Sequence, residues 1–192
     1  KILFRYLINN QNSKNLGILL CLQTGLRLGE ICGLQWQDIN LEKSTLTICR
    51  TLQKIYIKEK NKSYSKTIIS TPKTKTSNRI IPLNIDFINL IKPFQQNKNN
   101  YFITNSTNYL KPHCYRYYYQ KLLHFLNLPK LRFHSLRHTF ATQAVELGID
   151  CKTISEILGH ANMNTTLNLY VHPKTEYKRK CLDLIYKKLK NE

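Results

Sequence analysis

Along the chain, apolar residues recur at near-helical spacing through residues 15–34, with an interruption at Thr24-Gly25. The spacing predicts two short helices joined by a tight turn, with Thr24 placed to cap the second. Residues 45–57 alternate instead and are rich in β-forming side chains (Leu46, Ile48, Leu52, Ile55, Ile57), which predicts a strand. The polar, basic stretch 58–66 reads as a hairpin turn or loose loop, and 67–71 and 79–83 as short strands flanking a basic turn at 72–78. From Asn84 the helical period returns. It predicts helices over 85–91, 113–126, 134–147, 151–158 and 164–170, the last three stopped at Gly148, Gly159 and near Pro173. Residues 92–100 read as a polar connection broken by Pro93, and 101–104 as a short extended piece. Residues 175–190 form a basic amphipathic tail with Leu182, Ile185 and Leu189 on one stripe. The whole pattern predicts a mainly α fold with a small antiparallel β-sheet (α+β), one domain over 1–173 and a tail over 174–192.

Charge changes this picture most. Lysine plus arginine number 30 against 11 acidic residues, a formal charge of +19 over 192 residues. Such a surface is drawn to polyanions, nucleic acid first and anionic membrane second. No stretch approaches the roughly 20 apolar residues of a membrane span. The 12 Tyr and 7 Phe supply too much burial for a disordered chain. Six scattered cysteines without a CxxC pair read as reduced thiols in a cytosol-like compartment.

Three segments carry candidate chemistry. In TGLRLGE, Arg27 stands at a helix start just past a glycine turn, where backbone amides and a guanidinium can meet a phosphate; a surface salt bridge with Glu30 is the plain alternative. In FHSLRHTF, His134 and Arg137 are three apart and share a helix face, so both can reach one anion. His138, four from His134, raises a zinc reading, but no HExxH glutamate or acidic third ligand accompanies it, and His138 reads as a packed or hydrogen-bonded structural histidine. The third segment runs from Leu158-Gly159-His160 to Tyr170.

TGLRLGE, FHSLRHTFAT, LGH and TTLNLY, in this order over about residues 15–172, resemble the catalytic domain of the tyrosine recombinases (phage integrase family). The resemblance implies DNA transesterification without metal, cofactor or ATP. Tyr170 would be the nucleophile, giving a 3′-phosphotyrosyl link and a free 5′-hydroxyl. Arg27 and Arg137 would clamp the non-bridging oxygens, His134 would be the general acid/base, and His160 would hydrogen-bond the phosphate. Glu30 would buttress Arg27. Lys73, on the basic hairpin turn, would protonate the leaving oxygen, with Lys75 as the alternative and plain phosphate binding by both as the other reading. A phenol of pKa about 10 needs such help, and fixed cations stabilise both the phenolate and the pentavalent transition state.

Further basic residues (Lys54 and Lys66 near the hairpin, Arg116 and Lys121 on the tyrosine-rich helix) fit DNA backbone binding, with a solvated charged face as the alternative. Family members usually carry an N-terminal domain, so residues 1–14 are expected to be the remnant of a linker to it. The tail is expected to dock on a neighbouring protomer of a DNA-bound homo-tetramer, or else to pack on its own domain. The expected setting is double-stranded DNA in the cytoplasm, nucleoid-associated and with no membrane, an organelle being the alternative. Two competing functions share parts of this pattern. They are a non-catalytic helix-turn-helix-like DNA-binding module, suggested by 153–160, and a type IB topoisomerase.

Overall fold

Helix α2 (Ser13–Thr24) forms the centre of the molecule, because Leu16, Ile18, Leu19, Leu20 and Cys21 bury every side of it. The computed structural model describes residues 1–59, 62–71, 78–160, 162, 164–167 and 175–190. Asn12 caps α2 by accepting from the Asn15 amide at 2.9 Å, and Gly25 ends it with φ of 66°. A side chain at Gly25 would be strained by that φ and would also strike Leu158 and Phe140. The short apolar run at the chain's start forms α1 (Ile2–Asn9), which packs on α2 through the fully buried Leu7 while Arg5 faces outward.

Helix α3 (Leu28–Gly33) follows the turn, but Thr24 does not cap it. Its hydroxyl donates back to the Leu20 carbonyl at 2.6 Å, and three residues separate it from the new helix. The cap position is Arg27 itself, whose amide donates to the Glu30 carboxylate.

The alternating segment 45–57 is two strands rather than one: β2 (Thr45–Ile48) and β3 (Thr51–Glu59). The break falls at Cys49-Arg50, where Arg50 turns to donate to Asp38 at 2.7 Å and Gln35 at 2.6 Å. Strand β2 lies between β1 (Ile39–Asn40) and β5 (Arg79–Pro82) in a three-stranded antiparallel sheet, whereas β3 pairs with β4 (Lys62–Ser70) in a two-stranded ribbon. Residues 62–66 are therefore strand, not loop. Their polarity misleads because most of the ribbon is solvated; among its described side chains, only Leu52 at its base is buried.

The remaining helices keep close to their expected limits: α4 (Ile85–Ile91), α5 (Pro112–Phe125), α6 (His134–Glu146), α7 (Cys151–Leu158), α8 (Asn164–Leu167) and α9 (Thr175–Lys190). Beyond Leu167 the expected helix to Tyr170 lies outside the described residues. Residues 101–104 form a turn, not an extended piece. Tyr101 bridges both Gln35 and Ser106, and the Trp36 indole, fully buried against Phe102, donates to Asn105 at 3.0 Å. The main core joins α2, α3, α5 and the three-stranded sheet. A second cluster (Ala141, Ala144, Val145, Ile154, Leu158) fastens α6 to α7, and α6 also lies along α2. The architecture is thus the expected mainly α fold, with two small antiparallel sheets in place of one. Among the described residues, no helix is long and apolar enough to cross a membrane.

Candidate active site

Glu30 stands on the first turn of α3, 4% exposed, and two guanidiniums converge on it. Arg27 donates from Nη1 to Oε1 at 2.8 Å and from its backbone amide to Oε2 at 2.9 Å. Arg79, the first residue of β5, meets the same carboxylate with both terminal nitrogens at 3.1 Å. Burial alone would raise the Glu30 pKa. The hydrogen bonds and charges of Arg79 and Arg27 outweigh it and hold the carboxyl below its ordinary value. The Arg27–Glu30 pair is thus the outer edge of a network centred on buried Glu30, with the Arg27 side chain 38% exposed.

The opposite side of that network is the C-terminal end of α7. Gly159, with φ of 65°, lets the chain turn there, and the backbone amides of Gly159 and His160 satisfy the carbonyls of Glu156 and Ser155. The arginines take two more: Arg27 Nη2 donates to the Gly159 carbonyl at 2.7 Å, and Arg79 Nε to that of Ile157 at 2.6 Å. A helix C-terminus carries partial negative charge, so two cations are well placed on it.

Arg137 enters from α6, three residues after His134. It is 4% exposed, and Nη1 donates to the Gly25 carbonyl at 2.9 Å. Its Nη2 is buried and has no hydrogen-bond partner among the described residues. Burial, then the charges of Arg27 and Arg79, push this guanidinium down to about 9, with Glu30 pulling the other way.

Both histidines answer to the same field. His160 shares a 2.7 Å hydrogen bond between Nδ1 and the hydroxyl of Thr166, a fully buried residue of α8. That bond commits Nδ1 to the protein and leaves the ring's chemistry to Nε2. Burial, followed by the charges of Arg137, Arg27, Arg79 and His134, lowers His160 to about 4. The same causes, burial first and then His138, Arg137 and Arg27, lower His134. His138 is exposed rather than packed, and its ring meets that of His134 edge-to-face with centroids 4.8 Å apart.

The structure therefore gathers Arg27, Glu30, His134, Arg137 and His160 from α3, α6 and the end of α7 into one electrostatic neighbourhood. Tyr170, Lys73 and Lys75 lie outside the described residues. The outlying basic residues are not gathered there. Arg116 and Lys121 are exposed on α5, Lys121 over the Tyr117 ring at 4.8 Å, while Tyr115 and Tyr119 of that helix are core. On the ribbon, Lys54 pairs with Thr67 and Lys66 with Ile55, which puts the two lysines on opposite faces. Arg79 and Thr166 escaped motif reading. The available signal for Arg79 was a charged residue beginning a strand beside a basic turn; for Thr166 it was only its place in TTLNLY.

The family model described as the phage integrase family matches residues 5–176. The chain belongs to the phage integrase family. Among curated relatives, a tyrosine recombinase XerC-like protein of Caldanaerobacter subterraneus is 36% identical over 172 residues, covering 80% of this chain and 44% of its own. The transposase from transposon Tn916 of Enterococcus faecalis is 32% identical over 173 residues, covering 81% and 41%. This phage integrase family chain thus spans less than half the length of these relatives. Its fold is also that of the Tn1549 transposon integrase, solved in complex with a circular intermediate DNA, with TM-score 0.72 and 23% identity over 95% of this chain and 62% of that one. XerA recombinase gives 0.65 and 21%, again over 95% and 62%.

Proposed function

We propose that this chain is the catalytic part of a site-specific DNA recombinase or integrase, which cleaves and rejoins strands of double-stranded DNA through a 3′-phosphotyrosyl bond on Tyr170, without metal or ATP. The observation that carries this reading is the buried Arg137 Nη2, unpaired among the described residues and crowded by other cations. Burying an unsatisfied charged donor is costly, and a site that keeps one is built for an anion that arrives later. A DNA phosphodiester supplies that anion.

In this reading Arg27 and Arg137 take the two non-bridging oxygens, and Glu30 holds Arg27 at the rim. His160, kept neutral, donates from Nε2 to the phosphate. His134, also lowered, is a neutral imidazole able to accept the phenolic proton as Tyr170 attacks phosphorus. The bond to the 5′-oxygen then breaks, and Lys73, or Lys75, delivers the proton that oxygen needs. The phosphotyrosine conserves the ester, so the reverse attack by a 5′-hydroxyl rejoins DNA. A plain DNA-binding module has no use for a buried guanidinium nitrogen left unmet among the described residues, which disfavours that alternative.

The tail belongs to the same proposal. Side chains of α9 from Leu182 onward are exposed, including Leu182, Ile185 and Leu189. An apolar groove of about 940 Å³, lined by Phe4, Leu83, Leu123, Leu131, Phe140 and Leu147, is open to receive such a helix. Docking of α9 into this groove of a neighbouring copy would link protomers into a tetramer on DNA.

The test is a nicked duplex drawn from DNA flanking the gene, incubated with the chain and resolved in SDS. A covalent adduct is expected, absent in Tyr170→Phe although DNA is still bound, and insensitive to EDTA. An adduct that survives Tyr170→Phe, or one abolished by EDTA, overturns the reading.

A further inference from the structure

Arg79 is a guanidinium at a strand position, opposite Ile48 in the register and only 7% exposed. Taking a cation out of water costs several kcal/mol unless its donors are well met. Here they are met in a particular way. The fork seats both terminal nitrogens on the two oxygens of Glu30, and Nε reaches the Ile157 carbonyl. Arg27 uses the same two acceptor groups, the Glu30 carboxylate and the end of α7. The two arginines therefore bracket one carboxylate at one end and one helix C-terminus at the other.

We propose that Arg79 is a positioning residue of the phosphate pocket, acting on Arg27 through Glu30; its kinetic consequence rests on the recombinase reading above, its structural consequence does not. Two effects follow from sharing the carboxylate. Glu30 is fixed from both sides, so the guanidinium of Arg27 is held in place. The negative charge of Glu30 is also divided, so Arg27 is less neutralised and keeps more attraction for a phosphate. Without Arg79, Glu30 loses two charge-assisted donors while remaining buried, and Arg27 becomes its main partner and is drawn onto it. The bond to Ile157 adds a tie between β5 and the turn that presents His160, three residues further on. Through these contacts Arg79 acts on Arg27 and on the turn before His160 rather than on the phosphate itself. A lysine in its place would supply charge but not the two-pronged seat.

The experiment compares the 192-residue chain with Arg79→Gln, Arg79→Lys, Glu30→Gln and the Arg79→Gln/Glu30→Gln double variant. The first readout is the ¹⁵N NMR signal of the Arg27 side-chain Nε–H, assigned by its loss in Arg27→Lys. It is expected to move strongly in Arg79→Gln and partly in Arg79→Lys, with backbone amides of α2 and α5 unchanged. The second is single-turnover cleavage of a nicked duplex at saturating protein. Misplacing a clamp by about 1 Å costs on the order of 100-fold, so a loss of that size is expected in Arg79→Gln, with partial rescue in Arg79→Lys and no further loss in the double variant beyond Glu30→Gln. An unmoved Arg27 signal overturns the proposal, as do losses that multiply in the double variant. Should Arg79→Gln fail to fold, Arg79→Lys carries the same NMR test. Failure of the unsubstituted chain to form any adduct would count against the recombinase reading, and the NMR result would still decide the role of Arg79.

Discussion

The arginine cluster around Glu30 and the β3–β4 ribbon are both rich in cations and hold them in opposite ways. In the cluster, Arg27, Arg79 and Arg137 come from α3, β5 and α6, each fixed on a carboxylate or a carbonyl. On the ribbon, Lys54 and Lys66 are solvated side chains on opposite faces, with the Lys54 ammonium 5.0 Å from the centre of the Tyr56 ring. Buried charge in a low dielectric acts at defined points, and each missing partner is costly. Exposed charge is screened, and its contribution to binding is additive and salt-dependent. Under the proposed function, the first kind of site would act on one phosphate and the second would only hold the polyanion nearby.

The largest effect expected from this contrast is on stability. Glu30→Gln leaves Arg79 buried without its anion and should cost about 3–5 kcal/mol in chemical denaturation, as for other broken buried pairs. A cost under about 1 kcal/mol, the range of exposed pairs, would erase the distinction between the two regions. Next comes Arg137→Met. Losing one fixed charge from the pocket should lower single-turnover cleavage at least about 100-fold. Because Arg137 Nη2 has no partner among the described residues, the melting temperature of the variant should stay level or rise. A Met variant that cleaves normally would show that the orphaned donor has no part in the reaction.

Acid offers a gentler probe. The native His160 titrates at about 4 against an ordinary value of 6.5, so between these values the unfolded chain holds a proton the native one does not. Stability should therefore fall as pH drops from about 6.5 to about 4 and level off for this group below that. His134 contributes in the same direction, and Glu30, with its pKa lowered, extends the loss to more acidic solution. Melting curves of His160→Gln should show a shallower slope across that window; an unaltered slope would remove His160 from the pocket's field. The smallest effects belong to the ribbon. Lys54→Ala and Lys66→Ala should each weaken DNA binding a few-fold and reduce the salt slope by about one, if each lysine neutralises one phosphate.

Local features of the chain were legible in advance. Period and stop signals placed α4, α7 and α9 to the residue, because each is set by neighbours in sequence: a glycine beyond α7, an asparagine before α4, a stripe along α9. The same spacing put His134 and Arg137 on one face and Arg27 at a helix start. Other features depended on partners far along the chain. Whether residues 45–57 were one strand or two turned on which strand each half pairs with, and on Arg50 reaching back to Asp38. The polar start of β4, residues 62–66, hid behind its polarity, since a solvated strand end carries little apolar alternation.

By itself, then, the sequence determined the inventory: which helices form, which cations and imidazoles exist, and that they recur in a family's order. Long-range packing settled the rest: that Arg79 shares Glu30 with Arg27, that the carbonyls of Gly25, Ile157 and Gly159 receive the guanidiniums, and that Arg137 retains a buried donor unmet among the described residues. The reason is physical. Backbone periodicity is a short-range property of the chain. The partner of a charge held in the fold is whatever packing brings within 3 Å of it, here from as far as 132 positions away.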